Sequence, residues 1–289
     1  DKTIDYIIEK NKYRANFFRF NVDLFADYGI TISNSYWEIS YRNNTINSNT
    51  TLSIYYRKPT FPDTSDFAPE YRRIINSDIL ANIDGLANSF SGVVLTKPYL
   101  LRQAENKIFQ LIYAKIHSIL MPKSFIGNND YWKCINDQRI IKPISVGKIE
   151  TSSGIAIIQT NLMHENDSYD SPELTPVYIQ EYIKKSFEVR ITVVDDDFFA
   201  VKIVSDNMID WRAGNNNQYE IIDIPIEIKK CIKMMMKDFQ LRFGAIDYIV
   251  DVDGKWYFLE INPNGQWQWL ECILGLSISD SIMNMLLGG

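Results

Sequence analysis

The chain of 289 residues is 46% apolar and 23% charged, carries a net charge of −6 and contains three cysteines. This composition is typical of a globular protein that is long enough to bury a large core. The acidic balance argues against a nucleic-acid partner, which would need a basic face. The lack of an apolar run of 18 residues argues against a membrane span. The cysteines have no metal-binding spacing, which favours reduced thiols in the cytoplasm.

The N-terminal third alternates helical and extended patterns. Apolar spacing and turn residues predict two helices and four strands there, two of the strands being paired across an asparagine-rich turn. The helices are Ile4–Lys10 and Asp66–Asn88, the paired strands are Tyr36–Arg42 and Thr51–Arg57, and the other strands are Ala15–Asn21 and Ser91–Leu95. Nothing in this region indicates chemistry by itself.

The middle of the chain carries two lysines in informative positions. Apolar residues recur at helical spacing over Ala104–Leu120, and Lys107 lies near the start of this predicted helix. Lys142 lies in the apolar strand Ile140–Ile144, where a half-buried lysine needs an anionic partner. The following segment, Ser145–Gly154, is rich in small residues, so its backbone N–H groups can contact phosphates. It lacks the spacing of a Walker A loop.

Two further strands carry polar residues on one face. Val177–Ile183 is the first, and Glu188 and Arg190 lie two residues apart on the next, so their side chains share a face. An acid can accept hydrogen bonds from hydroxyl groups, and an arginine can neutralise a phosphate group. The alternative is an internal ion pair.

The second of these strands enters a hairpin that turns at Asp195-Asp196-Asp197. Three adjacent carboxylates repel one another, so they are either solvated or kept for a cationic partner. Amphipathic spacing then predicts a helix at Ile226–Phe239, and another helix is predicted at Ser279–Leu287 near the C-terminal end.

The strongest local pattern is another hairpin. Asp253-Gly254 separates the apolar runs Ala245–Val252 and Lys255–Ile261. An Asp-Gly pair favours a two-residue type I′ turn, because glycine and aspartate tolerate the positive φ that this turn requires. A two-residue turn fixes the register of the two strands.

This register places Asp247 opposite Glu260, and directly opposed residues have Cβ atoms about 5 Å apart. Asn262 shares a face with Glu260. Two such close carboxylates repel unless a cation lies between them. The oxygen-rich set predicts a site for Mg²⁺, which favours a few carboxylates together with phosphates. A solvated hairpin with chance acids is the alternative, and the apolar flanking residues fit it poorly.

These residues resemble the C-terminal metal motif of the ATP-grasp ligases, in which Asp, Glu and Asn hold the Mg²⁺ of ATP. The continuation Asn262–Glu271, NPNGQWQWLE, resembles the microviridin-type branch, as does Asp210-Trp211-Arg212. Members of this branch, the graspetide synthetases, cross-link side chains of a ribosomal precursor peptide. The resemblance runs from the N-terminal segment to the last helix.

The resemblance implies an α/β chain with the ATP-grasp fold, in which ATP lies between two α+β lobes built on largely antiparallel sheets. An N-terminal pre-ATP-grasp domain is expected at residues 1–98. A central ATP-grasp subdomain with a flexible phosphate loop is expected at 99–178. A C-terminal subdomain with the Mg²⁺ site is expected at 179–289.

The resemblance also implies roles for individual residues. ATP would be bound by Lys107 and Lys142 at its phosphates, by the hinge Gln180, Glu181, Tyr182 and Ile183 at adenine, and by Glu188 at the ribose. The catalytic group would comprise Lys142, Arg190, which neutralises the γ-phosphate or acyl phosphate, and Arg212, which holds a substrate carboxylate. Asp195, Asp196 and Asp197 would contact a basic residue of the precursor's leader.

The implied activity is ATP-dependent macrocyclisation. An Asp or Glu side chain of the precursor becomes an acyl phosphate, and a Thr or Ser hydroxyl or a Lys amine captures it. Homodimers are expected, without nucleic acid or membrane as partner. The alternatives are another ATP-grasp ligase, such as a RimK-like glutamate ligase or a dipeptide ligase, and a non-catalytic peptide-binding module. The NPNGQWQWLE segment argues against the first, and the complete Asp/Glu/Asn set argues against the second.

Overall fold

The computed structural model describes residues 1–128, 138–145, 148–151, 154–157, 160–163 and 174–288. The N-terminal lobe contains a three-stranded antiparallel sheet of order β1-β2-β3 and a parallel pair, β4 with β5. Its elements are α1 (Lys2–Asn11), β1 (Gly29–Ile32), β2 (Trp37–Tyr41), β3 (Asn44–Asn47), β4 (Ser53–Tyr55), α2 (Pro69–Ser89) and β5 (Val93–Leu95).

The predicted helices of this lobe are confirmed, as is the strand that ends at Leu95, but two strand predictions are wrong. Ala15–Asn21 has no strand structure. Tyr36–Arg42 and Thr51–Arg57 do not pair, because β2 instead pairs with β3 inside the asparagine-rich segment. Ile39 opposes Ile46 in that pair and both pack into one core cluster, so apolar packing outweighs the turn tendency of the asparagines.

The central lobe contains an antiparallel sheet of order β10-β7-β11-β6 and a separate hairpin, β8 with β9. Its elements are α3 (Pro98–Ala104), α4 (Lys107–Ile116), β6 (Ser124–Gly127), β7 (Arg139–Lys142), β8 (Lys148–Thr151), β9 (Gly154–Ile157), β10 (Asn161–Met163) and β11 (Val177–Glu181). The helix predicted at Ala104–Leu120 begins later and ends earlier. The Asn106 side chain accepts from the N–H groups of Ile108 and Phe109 and so starts α4 with an N-cap.

The C-terminal lobe is built on a five-stranded antiparallel sheet of order β14-β13-β12-β15-β16. Its elements are β12 (Lys185–Val194), β13 (Asp197–Val204), β14 (Gln218–Ile221), α5 (Ile226–Asp238), β15 (Phe243–Asp251), β16 (Trp256–Asn262), α6 (Gln268–Leu274) and α7 (Ile278–Leu286). The predicted antiparallel sheets, the second hairpin and both predicted helices of this lobe are confirmed.

Two core clusters lie on opposite faces of the five-stranded sheet. One packs α4 and α5 against residues such as Ile191, Ile246 and Phe258. The other packs α6 and α7 against Val201 and Phe243. Because neighbouring residues of a strand point to opposite faces, Arg190 and Asp247 lie on the face away from α4 and α5.

Candidate active site

The hairpin of β15 and β16 brings the predicted metal ligands together. Asp247 lies opposite Glu260, and Ala245 lies opposite Asn262. The register predicted for this end of the hairpin is therefore confirmed. Asn262 is exposed, and its Oδ1 accepts the N–H of Asn264 at 2.9 Å, which holds the side chain in an Asx turn.

The turn of the same hairpin differs from the prediction. The N–H of Asp251 donates to the carbonyl of Lys255, and Gly254 alone in the turn has a positive φ, of 79°. The loop therefore has three residues and is not a type I′ turn. Near the turn the register is shifted by one, with Val250 opposite Trp256, and an irregularity next to Asp247 restores the predicted pairing.

Two arginines neutralise the carboxylates. Arg190 lies opposite Asp247 on the neighbouring strand, with its Nε 2.8 Å from Oδ1, and both side chains are more than 90% buried. Arg212 Nη2 lies 3.6 Å from Asp247 Oδ2 and 4.0 Å from Glu260 Oε1. The cation that the sequence demands between the opposed carboxylates is thus supplied by Arg212.

Two lysines approach the same cluster from the central lobe. Lys107 Nζ lies 4.0 Å from Glu260 Oε2 and donates to the carbonyl of Pro143 at 2.7 Å. Lys142 Nζ donates to Gln180 Oε1 at 3.0 Å. Burial lowers the pKa of both lysines, and the negative charge of Glu260 partly opposes this effect. The lysines are thus partly dehydrated cations held close to a carboxylate.

The two carboxylates respond differently to the same surroundings. Burial raises the pKa of Asp247 above its ordinary value, although Arg190 and Arg212 oppose the rise. Burial also acts to raise the pKa of Glu260, but the surrounding lysines and arginines outweigh it and hold this pKa below the ordinary value. Glu260 is therefore the carboxylate that its cationic environment stabilises in the ionised form.

Glu188 does not pair with Arg190, the alternative considered from the sequence. Its carboxylate instead contacts the ammonium of Lys185, and burial raises its pKa despite that contact. Arg190 finds its partner in Asp247. Both predicted residues lie on the site face of the sheet, each with an opposite charge beside it.

The predicted adenine hinge lies at the end of β11, the strand next to β7. The Gln180 side chain is completely buried and links Lys142 to Ser124 through its amide. The N–H groups of Glu181 and Tyr182 donate to the carbonyls of Lys123 and Gln138. Those two N–H groups are therefore engaged inside the protein.

The arginine of the DWR segment is held by a contact that sequence reasoning missed. Asp210 Oδ1 accepts the N–H of Arg212 at 3.0 Å, and Oδ2 lies 3.4 Å from Arg212 Nη1. Trp211 packs on Trp269, with ring centroids 5.1 Å apart. The capping tendency of an aspartate two residues before the arginine is the signal that could have revealed the first contact.

The three turn aspartates already have partners. Asp195 receives both Nε and Nη2 of Arg242, at 2.6 and 2.7 Å, and Asp196 receives Lys233 Nζ at 2.6 Å. Asp197 accepts the hydroxyl of Ser281. The sequence left two alternatives for these aspartates, solvation or a cationic partner molecule. The structure shows a third, internal partners within the chain, and the contact with a leader peptide remains a prediction.

The same hairpin borders a groove with a volume of about 600 Å³ that lies against α5. Its lining combines apolar side chains with charged ones, among them Phe198, Leu241, Asp196 and Lys233. Lys229 Nζ also lies 4.9 Å from the centre of the Phe198 ring. The groove thus places apolar and charged side chains next to each other beside the turn aspartates.

Among the described residues, no group of three or more His, Cys, Asp or Glu side chains is placed to hold a metal ion. The predicted set differs from such a group because it combines two carboxylates with the Asn262 amide. No helix in the described part of the chain is both long and apolar enough to cross a membrane. Part of the predicted phosphate loop Ser145–Gly154 lies outside the described residues.

Solved structures share this architecture along its whole length. Macrocyclase MdnC of Microcystis aeruginosa, bound with precursor peptide MdnA, has 24% identity and a TM-score of 0.90, covering 100% of this chain and 96% of that one. A RiPP-associated ATP-grasp ligase of Chryseobacterium gregarium, in complex with ADP and a leader and core peptide, has 24% identity and a TM-score of 0.87, with 98% and 92% covered. Macrocyclase MdnB of Microcystis aeruginosa has 25% identity and a TM-score of 0.83, with 99% and 95% covered.

No curated protein matches the chain significantly. The model of the RimK-like ATP-grasp domain matches residues 104–286. The ATP-grasp fold and the resemblance to the macrocyclase branch, both predicted from the sequence, are confirmed. The matched region contains every residue predicted to bind ATP or metal and extends over more than half of the chain, so this protein belongs to the RimK-like ATP-grasp family.

Proposed function

We propose that this protein is an ATP-dependent peptide macrocyclase of the microviridin type. It joins Asp or Glu side chains of a ribosomal precursor peptide to Thr or Ser hydroxyls, or to Lys amines. The observation that carries the proposal is the convergence of Lys107, Lys142, Arg190 and Arg212 on the Asp247–Glu260 pair. Four cations around two carboxylates leave positive charge available for phosphate oxygens and a substrate carboxylate.

The donor set fits the magnesium ion that accompanies ATP. Asp247, Glu260 and Asn262 offer hard oxygen atoms at one edge of the sheet, and Mg²⁺ favours a few such ligands plus phosphates. These three residues would hold the ion, which neutralises charge on the phosphates when it is bound. Ala245, which lies opposite Asn262, adds no charged side chain of its own to this edge.

The chemistry assigned to the site requires no protein nucleophile. A substrate carboxylate oxygen attacks the γ-phosphorus of ATP, the bond to the β-phosphate oxygen breaks, and ADP leaves. A hydroxyl or amine of the same peptide then attacks the acyl carbon, phosphate leaves, and the nucleophile loses its proton. Lys142 and Arg190 neutralise the transferred phosphoryl group, and Arg212 orients the carboxylate. Positioning and charge stabilisation supply the acceleration in reactions of this kind.

The leader of the precursor is proposed to dock in the groove beside Asp195–Asp197. The apolar and charged lining of the groove supports this placement. The ion pair between Lys233 and Asp196 is largely exposed, at 49% and 88% of the two side chains. Exposed pairs contribute little, so a basic leader residue can exchange with Lys233 at small cost. MdnC and the Chryseobacterium ligase, whose structures contain precursor or leader peptides, share the fold.

The proposal includes a homodimer and a cytoplasmic location, where ATP is available. Light scattering on the purified protein tests the dimer. Incubation with ATP, Mg²⁺ and the precursor peptide encoded beside the gene tests the activity, because each ring formed removes one water from the peptide mass. Formation of ADP with free glutamate or dipeptides, and not with the precursor, would favour a RimK-like amino-acid ligase instead. No ADP with any of these substrates would favour a non-catalytic peptide-binding module.

A further inference from the structure

Arg57 of the N-terminal lobe reaches the segment that follows the predicted metal ligands. Its side chain is 1% exposed, and its Nε lies 2.9 Å from the carboxylate of Asp1. Nη1 donates to Asn264 Oδ1 at 3.1 Å and to the carbonyl of Gly265 at 3.4 Å, and Nη2 donates to Gln266 Oε1 at 2.6 Å. Three of its acceptors therefore lie on three consecutive residues, more than 200 positions away in the chain.

These contacts continue to Asn262 through one intervening residue. Asn264 accepts from Arg57 with its side chain and donates its own N–H to Asn262 Oδ1. The side-chain oxygen of Asn262 is thus oriented by a backbone group whose residue is held by Arg57. Gly265, the second acceptor, lies so close to Ala245 that a methyl group there would be 2.4 Å from the Ala245 Cβ. The backbone of residues 264–266 therefore has little room to adopt another conformation.

The charge of Arg57 is unusual for a residue with a purely packing role. A buried guanidinium is costly unless its donors are satisfied. Here the acceptors are one carboxylate, two side-chain amide oxygens, one carbonyl and, at 3.5 Å, the Tyr55 hydroxyl. Its planar fork can contact several fixed acceptors at once, which a lysine cannot do. Groups that orient metal ligands from outside the coordination shell typically change metal affinity or activity about 10- to 100-fold when removed.

We propose that Arg57 is a positioning residue for the magnesium site, which it acts on through Asn264 and Asn262. The inference rests on the proposed function, since it requires that Asn262 take part in binding metal with ATP. It assigns the N-terminal lobe a direct part in the site: the lobe fixes the orientation of one metal ligand. The ligand that would be bound more tightly is a hard divalent cation, together with a nucleoside triphosphate.

The test measures metal binding directly, apart from turnover. Mn²⁺ with equimolar ATP serves as the probe. The protein is titrated into a fixed amount of this complex, and the enhanced relaxation of water protons reports the Mn²⁺ that is bound to protein. Arg57→Ala and Asn264→Ala should each weaken Mn²⁺ binding about 10-fold. The double variant should bind Mn²⁺ no more weakly than the weaker-binding single variant, because both substitutions interrupt the same chain of contacts from Arg57 through Asn264 to Asn262. Asn264 is only half-buried, so its variant keeps the test valid if Arg57→Ala folds poorly.

Tyr6→Phe is the matched control. The Tyr6 hydroxyl also joins the N-terminal lobe to the C-terminal lobe, by donating to Glu271 Oε1 at 2.7 Å, but among the described residues it makes no hydrogen bond to Arg57 or Asn264. Removal of this hydroxyl should leave the Mn²⁺ affinity within about twofold of the wild-type value, because it lies outside the chain of contacts from Arg57 to Asn262. Wild-type affinity in both Arg57→Ala and Asn264→Ala, or an equal loss of affinity in Tyr6→Phe, would overturn the inference alone. Failure of the wild type to bind Mn²⁺ with ATP would overturn the proposed function and the inference with it.

Discussion

Replacing Glu260 by glutamine should destabilise the metal-free protein. From the sequence alone the opposed pair of carboxylates suggests repulsion, which a substitution would relieve. In the structure, however, Glu260 lies 4.0 Å from both Lys107 Nζ and Arg212 Nη2. At 4 Å and an effective dielectric constant of about 20, each attraction is worth about 4 kcal/mol before the cost of desolvation. Because the side chain is 27% exposed, we expect a net loss of about 1–3 kcal/mol in the free energy of unfolding.

The effect has a defined pH dependence. The pKa of Glu260 lies below its ordinary value, since the surrounding cations outweigh burial. A lowered carboxyl pKa contributes stability above the pKa of the unfolded chain, about 4.3 for Glu, and this contribution is lost as the pH falls through the folded-state pKa. The difference between wild type and Glu260→Gln should therefore be largest near neutral pH and shrink in acid. Asp247, whose pKa burial raises, has the opposite sign, so the loss in Asp247→Asn should shrink as the pH rises.

Urea unfolding without metal, at several pH values between about 4 and 7.5 where the chain stays folded, measures both effects. Glu220→Gln is the control, because Glu220 pairs with Lys202 at 3.0 Å but is 65% exposed. Exposed pairs contribute about 0–1 kcal/mol, so this variant should change stability little. A metal-free Glu260→Gln protein that is more stable than wild type at neutral pH would refute the reasoning and restore the repulsion interpretation. Turnover with ATP and Mg²⁺ should be nearly abolished in the same variant.

Four further outcomes are expected. Lys142→Ala should raise the ATP requirement and slow turnover about 10²–10³-fold, measured as ADP release, because charge stabilisation on the phosphates is lost. Arg190→Ala should slow turnover similarly and also lower the free energy of unfolding by about 3 kcal/mol, since a buried carboxylate loses its partner; a loss of stability without a loss of rate would leave Arg190 a structural residue. Gly265→Ala should lower turnover, because the added methyl group would clash with Ala245, and a variant with normal turnover would contradict the tight fit. Replacement of Asp195–Asp197 by asparagines should weaken leader binding several-fold in calorimetry, less so at high salt, and unchanged affinity at low salt would exclude these residues from the peptide site.

Local patterns sufficed where each residue's role is set by its neighbours in the chain. The spacing of Ile226–Phe239 predicted α5, and the alternation around Asp195–Asp197 predicted the β12–β13 hairpin. They failed in the N-terminal lobe, where Thr51–Arg57 contains a strand that pairs in parallel with the distant β5 and not with its neighbour. A parallel partner nearly forty residues away leaves no local signature, because the connection between the two strands is a long helix.

In the candidate site, too, local sequence grouped some residues, whereas others come together only in the folded chain. Asp247, Glu260 and Asn262 could be grouped from the sequence because one hairpin carries all three. Arg190 and Lys142 could be singled out on their own strands, but only the family resemblance linked them to this hairpin. Arg190 lies on the neighbouring strand β12, and Lys142 lies in another sheet. Arg57 carried no signal, because the three acceptors that connect it to the site lie beyond position 260 and are brought to it only by the packing of two lobes.

The hairpin itself shows why a correct register was reached through an incorrect turn. The three-residue loop sets Val250 opposite Trp256, and an uninterrupted ladder from there would place Leu259, not Glu260, opposite Asp247. A shift of one residue moves every following side chain to the other face of the sheet. The irregularity beside Asp247 adds one residue to β16, as a β-bulge does, and returns Glu260 to the face of Asp247. The length of the turn therefore does not by itself set the pairing at the site. The bulge compensates for the extra turn residue and restores the pairing of Asp247 with Glu260.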